Sequence, residues 1–436
     1  MRKIIQYMMM ALIAVVLASC ANDISEESTP TVKSNIRFVV DDFPMFEKPS
    51  TRTIGEEDKG KTAWAVGDEI CVKLESKELG IQTATLKYNG VKFEIQDGNS
   101  LCYLEGEPVT ACAYYAPGRK YLNDGYLGYK DDGEDGIAEF IEATCNVHYG
   151  DDNYIDISFA NVTRNYSRLR IATMPNKPIT VDFRKFTPSG GWDFQLPSGR
   201  YTLTSDEKGN AYLYGTFDRY AEVTVKYREA TLATHTFSKK TENAKSYALD
   251  ATVVSLADEA ITYEQIADAV KKELEAGKTY INLILAPDAD ENTFDAIHYG
   301  LEEARDRINL TLIGCKKIPY GGFMRWTMLK SIALPDVTEI EGKAFSDCTK
   351  LQKVVLGNLT KVYGNVGKNG IFDGCRTKDI DLVLSKDQKV MNGGETEGGY
   401  CWTADITKDY SGSDEHNGRV FLDYDFQSIT CDYRVP

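Results

Sequence analysis

The sequence lacks the residue patterns that mark the common metal, nucleotide and hydrolase sites. No two cysteines stand in a CxxC pair, and only four histidines occur among 436 residues. The HExxH, GxSxG and phosphate-loop motifs are absent too, which argues against zinc proteases, serine hydrolases and P-loop enzymes. The acidic stretches 131–142 and 288–292 match a calcium loop only in part, and we interpret both as solvated turns. We therefore predict no catalytic residues, no cofactor and no metal.

The sequence also offers no apolar run that could cross a bilayer as a helix, which takes about 20 residues. The run at residues 8–17 has the length of a signal-peptide core and follows Arg2 and Lys3. It ends in Leu-Ala-Ser-Cys at residues 17–20, which resembles the lipobox of bacterial lipoproteins. This resemblance implies cleavage after Ser19 and a lipid on the thiol of Cys20. The alternative is an ordinary secretory signal followed by a chance cysteine.

Residues 1–19 are thus predicted to be a lipoprotein signal peptide, and residues 20–35 a flexible polar tether. An acidic cluster follows Cys20 and resembles the outer-surface export signal of lipoproteins from anaerobic gut and oral bacteria: Asp23, Glu26 and Glu27. The implied location is the outer membrane, with the chain lipid-anchored and displayed at the cell surface. A solvated linker is an alternative interpretation of the same residues and is compatible with this location.

The sequence has fewer basic than acidic residues, 50 against 66. The chain carries a net charge of −16, and loss of residues 1–19 removes Arg2 and Lys3 but no acid, which leaves −18. Such an acidic chain is not expected to bind nucleic acid or an anionic lipid surface. Nine of the ten cysteines remain besides Cys20, at scattered spacings. Export permits disulfides, but we expect mostly buried free thiols.

Residues 36–256 have the pattern of short strands and turns. Apolar and polar residues alternate at 36–40 (IRFVV) and at 221–227 (AEVTVKY), and Gly, Asn and Asp punctuate the segments between. No amphipathic helix is indicated. We predict an all-β sandwich or barrel here.

Several motifs in this half resemble, in order, those of the fimbrillin family of pilus-forming and surface lipoproteins. They are the segments 51–53 (TRT), 64–70 (WAVGDEI), 110–117 (TACAYYAP), 159–162 (FANV) with 167–171 (SRLRI), and 244–249 (AKSYAL). The resemblance implies a transthyretin-like β-sandwich module in two domains, residues 36–174 and 175–256. It also implies possible proteolysis after Arg37 or Arg52, and assembly with other fimbrial subunits by donor-strand exchange.

The pattern changes at about residue 257. A helix is predicted from the capping box of Thr262 and Gln265 to Gly277, and a second over about residues 294–306. Each precedes a similar strand, INLIL at 281–285 and INLTL at 308–312. Further strands end at Leu334 and Leu356, 22 residues apart, and at Leu384. A period in the low twenties with one strand per unit predicts a stacked repeat array over residues 257–436, capped by residues 392–436.

The segments 344–351 (AFSDCTKL) and 371–375 (IFDGC) recur in phase between these strands. They resemble the BspA-like leucine-rich repeat of bacterial surface proteins, which implies a short α+β solenoid. The resemblance implies a protein-binding strand face formed by the residues between the leucines: Lys330, Ser331, Ala333, Gln352, Lys353 and Val355.

These observations favour a non-catalytic surface lipoprotein that mediates adhesion or protein–protein interaction through its repeat domain. The expected partners are the membrane, through the N-terminal lipid, and surface proteins of a host or of other bacteria. Two alternatives remain open at this point: a fimbrial anchor or tip subunit, and a glycan-binding accessory protein, which the 26 tyrosines would suit.

Overall fold

A computed structural model describes the chain as three consecutive units, two built of strands alone and one of repeated strand-containing turns. The described residues are 31–33, 36–46, 61–96, 101–121, 125–129, 138–149, 153–160, 164–189, 196–258, 260–304, 307–364, 370–396, 399–409 and 420–433.

The first unit is a seven-stranded sheet in the order β2-β11-β10-β7-β3-β4-β5, with two small strand pairs beside it. Its strands are β1 (Val32–Lys33), β2 (Arg37–Val40), β3 (Glu69–Ser76), β4 (Gly80–Tyr88), β5 (Phe93–Ile95), β6 (Tyr103–Leu104), β7 (Val109–Tyr115), β8 (Arg119–Tyr121), β9 (Leu127–Tyr129), β10 (Ile141–His148) and β11 (Tyr154–Ser158). All neighbours in the large sheet are antiparallel except β2 and β11, which are parallel. The ring of Trp64 packs edge-on against Phe43, Phe93 and Tyr115 in the core.

The second unit is a six-stranded sheet in the order β14-β13-β15-β12-β17, with β16 paired to β15. Its strands are β12 (Ser167–Ala172), β13 (Pro178–Pro188), β14 (Leu196–Thr204), β15 (Asn210–Tyr227), β16 (Ala230–Thr236) and β17 (Ser246–Asp250). Strand β15 is long enough to pair with β12 along its first part and with β13 and β16 along its second. The first and last strands of the unit, β12 and β17, are parallel.

The sheets place the unit boundaries differently from the sequence prediction. Strand β12 was assigned to the domain ending at residue 174, yet it pairs only with strands of the second unit. The second domain was predicted to end at residue 256, yet β18 (Val254–Leu256) pairs with the parallel sheet of the third unit. The predicted tether also ends early, because Val32 and Lys33 form β1 against β6. Strand pairing across a boundary leaves no local composition signal, which explains all three shifts.

The third unit consists of one long parallel sheet, a second smaller sheet and two helices. In chain order its elements are β18, α1 (Tyr263–Glu275), β19 (Tyr280–Leu285), α2 (Glu291–Leu301), β20 (Ile308–Ile313), β21 (Lys317–Ile318), β22 (Leu329–Leu334), β23 (Glu339–Ile340), β24 (Lys353–Leu356), β25 (Lys361–Tyr363), a 3₁₀ turn (Thr377–Asp379), β26 (Asp381–Ser385), β27 (Lys389–Thr396), β28 (Gly399–Asp409), β29 (Val420–Phe421), β30 (Tyr424–Asp425) and β31 (Ser428–Tyr433). The long sheet has the order β18-β19-β20-β22-β24-β26-β31, and all its pairs are parallel.

Equivalent residues of successive turns lie side by side in this sheet. Leu283 pairs with Leu312, and Leu334 pairs with Leu356. Behind the strands, the rings of Phe323, Phe345 and Phe372 form a stack with centroid distances of 5.4 and 5.0 Å and nearly parallel planes. All three rings are buried and Phe345 lies between the other two, so neighbouring turns share one core.

Both predicted helices are present, but the second spans Glu291–Leu301 rather than about residues 294–306, so both of its ends are shifted. Thr262 accepts from the backbone N–H of Gln265 and forms the predicted capping box at α1. Helix α2 begins at Glu291 rather than near residue 294, because the carboxylate of Asp290 caps it by accepting from the backbone N–H of Thr293. The acidic stretch 288–292 thus contributes a helix cap.

The nine cysteines within the described residues are all free thiols, four of them buried and five half-buried. In the repeat unit, Cys348 Sγ donates to the carbonyl of Phe323 at 2.9 Å, and Cys375 Sγ donates to that of Phe345 at 2.8 Å. The two thiols therefore tie successive turns together. In the C-terminal segment, Trp402, Phe421 and Tyr424 are buried against the core of the third unit.

Candidate binding surface

The predicted binding face lies on β22, on β24 and at Gln352 just before β24, but only part of it faces solvent. Lys330 and Gln352 are exposed, and Ser331 and Lys353 are half-buried. Ala333 and Val355 are buried, with 6% and 2% of their surfaces accessible. These two positions do not contribute to an open surface, which corrects the prediction for them.

A hairpin of the second unit covers these positions. Ala230, at the start of β16, is fully buried in a cluster with Ala333, Val355 and Val383. The hairpin reaches the sheet through a tight two-residue turn at Arg228 and Glu229, both with positive φ (48° and 62°). This geometry matches the twist of paired strands and projects β16 onto the parallel sheet.

The contact between the hairpin's unit and the parallel sheet also includes residues of β19 and β20. Asn282 on β19 donates from Nδ2 to the carbonyl of Leu232, at 3.0 Å, and to that of Thr252, at 3.2 Å. Ile313 on β20 packs into the core of the second unit. The guanidinium of Arg228 pairs with the carboxylate of Asp336, which also accepts from the backbone N–H of Gly314 at 3.0 Å. The second and third units are therefore joined by a buried, hydrogen-bonded interface.

Beyond the hairpin, polar side chains of the predicted face are left uncovered. Ser331 donates to Asn309 Oδ1 at 2.8 Å on the neighbouring strand. Lys353 lies next to Lys226, and burial together with the Lys226 charge lowers the pKa of Lys353.

Lys226 itself belongs to a charge network on the second unit. Its ammonium lies 2.7 Å from Asp182 and 2.9 Å from Glu229, and both carboxylates also contact Arg200. Burial would lower the pKa of Lys226, but its hydrogen bonds to the two carboxylates outweigh burial and raise it. The charge of Lys226 is thus paired within the second unit, and Lys353 lies beside this network.

The predicted processing sites are Arg37 and Arg52, and the predicted lipid site is Cys20. Arg37 is an exposed residue at the start of β2, where its backbone N–H donates to the carbonyl of Asn153 at 3.1 Å. Cys20 and Arg52 lie outside the described residues. Arg37 thus belongs to the large sheet of the first unit.

The first unit also contains a groove that was not predicted from the sequence. It has a volume of about 790 Å³ and runs between the two edges of the large sheet, β2 and β5. Val39 and Val91 line it and are 42% and 85% exposed. Trp64, which also lines the groove, donates from Nε1 to the carbonyl of Asp41 at 2.7 Å. Val39 lies on the edge strand β2 and Val91 just before the edge strand β5. An alternating sequence pattern does not reveal which strand is an edge.

No group of three His, Cys, Asp or Glu side chains within the described part of the chain is arranged to hold a metal ion. In the same part, no helix has the length and apolar character needed to cross a membrane.

No family model matches this sequence. No curated protein matches it either. Two solved structures are similar to parts of it at 10% identity. One, a candidate cell adhesion protein from Bacteroides fragilis, has a TM-score of 0.26, with 50% of this chain and 92% of that chain covered. The other, the minor pilin GBS52 of Streptococcus agalactiae, has a TM-score of 0.17, with 49% and 93% covered. TM-scores of this size carry no argument about fold or function.

Proposed function

We propose that this chain is a non-catalytic surface lipoprotein, anchored through Cys20, that mediates adhesion or protein–protein interaction through its repeat unit. The observation that carries the proposal is the stacked array itself. Strands 22 residues apart lie in register, and their phenylalanines stack behind them. Together with the 344–351 and 371–375 motifs, this supports a leucine-rich-repeat assignment of the BspA-like type. Arrays of this kind offer extended surfaces to protein partners.

The covered face restricts where such a partner would bind. Ala333 and Val355 lie under Ala230, so a partner would use the exposed residues Lys330 and Gln352 or the outer surface of the array. The buried interface also ties the repeat unit to the second β unit. A partner bound to the repeats would therefore be held at a fixed position relative to both.

The anchor is tested by metabolic lipid labelling of the full chain in its native cell. Cys20→Ser should lose the lipid label and leave the outer-membrane fraction, because only the thiol at that site accepts the lipid. Cys102→Ser, at a half-buried thiol of the first unit, is the matched control and should keep both. An unlabelled wild-type chain would exclude the anchor.

Adhesion is tested separately with the purified full chain against a panel of host matrix proteins, host cells and neighbouring bacteria. Saturable binding to at least one protein partner is the expected result. Absence of binding across the panel, with the chain shown to be folded, would exclude adhesion even if the lipid were present.

A fimbrial subunit is the second candidate, because β2 is an edge strand that cleavage could remove. Asp41, which follows β2, accepts from Ser158 Oγ at 2.7 Å and from the backbone N–H groups of Phe159 and Ala160 at 2.8 and 3.0 Å. Phe43 is buried just after it. Cleavage after Arg37 would leave Asp41, Phe43 and most of β2 in place. Cleavage after Arg52 would cut all of them from the rest of the chain and could leave an empty groove.

The fimbrial candidate therefore requires Arg52 rather than Arg37. In native cells that assemble a polymer, Arg52→Ala should abolish a high-mass ladder on gels, and Arg37→Ala should leave it. Intact-mass analysis that finds only a lipidated, uncut N-terminus, with no ladder, would rule the polymer out.

A further inference from the structure

Two exposed tyrosines form a pair on the helical side of the repeat unit. Tyr263 begins α1 and Tyr299 lies near the end of α2, with 40% and 61% of their surfaces accessible. Their ring centroids are 6.3 Å apart and the planes are inclined at 44°. Gly300 permits this approach, since a Cβ there would lie 2.7 Å from the carbonyl oxygen of Ala267. The close helix contact therefore places the two rings side by side.

Acidic side chains surround the pair. Asp295 and Glu302 are exposed and lie four residues before and three after Tyr299, on the same side of α2. Glu264 is exposed beside Tyr263. Partial burial and these three carboxylates together raise the pKa of the Tyr263 hydroxyl. Within the described residues, none of the three carboxylates forms an ion pair with a lysine or arginine.

Two other tyrosines on or near the surface, Tyr220 and Tyr363, each have a cation of the chain itself over the ring. Arg219 lies 4.6 Å from the ring centroid of Tyr220, and Lys361 lies 4.6 Å from that of Tyr363. In the described part of the chain, no lysine or arginine lies over Tyr263 or Tyr299. The pair thus combines two electron-rich ring faces with a carboxylate rim that lacks a cation from the described chain.

We propose that the Tyr263–Tyr299 pair binds an arginine or lysine side chain of a basic segment on a protein partner. The choice of a cationic partner rests on charge complementarity: ring faces and carboxylates both attract positive charge. This inference deepens the proposed adhesion function by naming a contact site and the chemistry that it recognises.

The test uses the full-length chain in detergent and an acetylated ten-residue peptide of alternating arginine and glycine. A peptide with citrulline in place of arginine keeps the shape and removes the charge. Tyr299→Ala should weaken binding of the arginine peptide about two- to fivefold, and Tyr263→Ala by a similar factor, as expected for an exposed cation–π contact. Tyr299→Phe should keep the affinity. Tyr320→Ala, at a 47% exposed tyrosine of the same unit, is the matched control and should leave it unchanged.

The tyrosine variants leave the net charge unaltered, so general attraction to an acidic protein cannot produce the expected difference. Equal binding of the citrulline peptide would overturn the proposal. Equal binding by wild type and Tyr299→Ala, with unchanged circular dichroism, would overturn it as well. A third result would also overturn the proposal: the wild type binds glycans on an array but not the peptide, and Tyr299→Ala abolishes the glycan binding. Failure of the peptide test with intact adhesion to a panel partner would refute this site and leave the proposed function standing.

Discussion

Arg228, in the turn between β15 and β16, forms an ion pair with Asp336 in the repeat unit, 108 residues further along the chain. The pair is partly buried, with 22% and 10% of the two side chains accessible. It lies at the edge of the interface through which the second unit covers the face of the parallel sheet.

Removal of either partner should weaken this interface unequally. Arg228→Ala should cost about 1 kcal/mol of unfolding free energy, since one charged hydrogen bond is lost. Asp336→Ala should cost about 2–3 kcal/mol, because the N–H of Gly314 also loses its acceptor. Denaturant titration of both variants and of the double variant measures the coupling. Arg184→Ala, in an exposed pair with Glu222, should change stability by less than about 0.5 kcal/mol. Equal costs for Arg228→Ala and Asp336→Ala would contradict the role of Gly314.

A charge at the centre of the interface should separate hairpin and sheet. Ala230 is fully buried, so Ala230→Glu would place an unpaired carboxylate in an apolar site, at a cost of several kcal/mol. Hydrogen exchange should then speed up in β16, β22 and β24, while the core of the first unit keeps its protection. Thr236→Glu, at an exposed position of the same strand, should leave exchange unchanged. Protection that survives Ala230→Glu would show that the contact does not hold the units together.

The phenylalanine stack should respond as a cooperative unit. Phe345 is fully buried between Phe323 and Phe372, so Phe345→Ala should cost about 3–5 kcal/mol by leaving a cavity. Because neighbouring turns share this core, the loss should extend to their protease resistance. Limited proteolysis would show new cleavage in turns on both sides of residue 345. Cleavage confined to the mutated turn would argue against shared stability.

Acid should loosen the second unit through Asp182. Burial alone would raise the pKa of this carboxyl, but hydrogen bonds from Arg200 and Lys226 outweigh it and lower the pKa below the usual 3.8. Because the pKa is lower in the folded state, the ionised carboxylate stabilises the fold at pH values above the unfolded-state pKa. This contribution is lost as the pH falls through the folded-state pKa. Asp182→Asn should therefore destabilise the chain at pH 7 and have less effect at about pH 3. Asp42→Asn, an exposed change in the first unit, is the control. A loss for Asp182→Asn that is equal at both pH values would contradict this origin.

Local signals in the sequence predicted the local structure of the repeat unit well. The capping box of Thr262 and Gln265 depends on residues three apart, and the leucines of successive strands depend on a period of 22. Both are periodic or short-range features that composition and spacing record directly.

The covered face could not be predicted in the same way. Its key contact is a single alanine, Ala230, which meets Ala333 and Val355 more than 100 residues away. A small residue after a turn has no distinctive pattern, and the strands of this parallel sheet have similar sequences whether they face solvent or another unit. The tyrosine pair was missed for a related reason, because Tyr263 and Tyr299 are brought together only by the helix contact at Gly300.

The two β units share a feature that bears on mechanical load. In the first unit β2 runs parallel to β11, and in the second β12 runs parallel to β17. Within each of the two large sheets, the chain enters through one of these strands and leaves through the other. A chain held at Cys20 and pulled from its repeat unit would draw each pair in opposite directions along the strand axis. The evenly spaced hydrogen bonds between the two strands would then share the load in shear, so they would not break one after another.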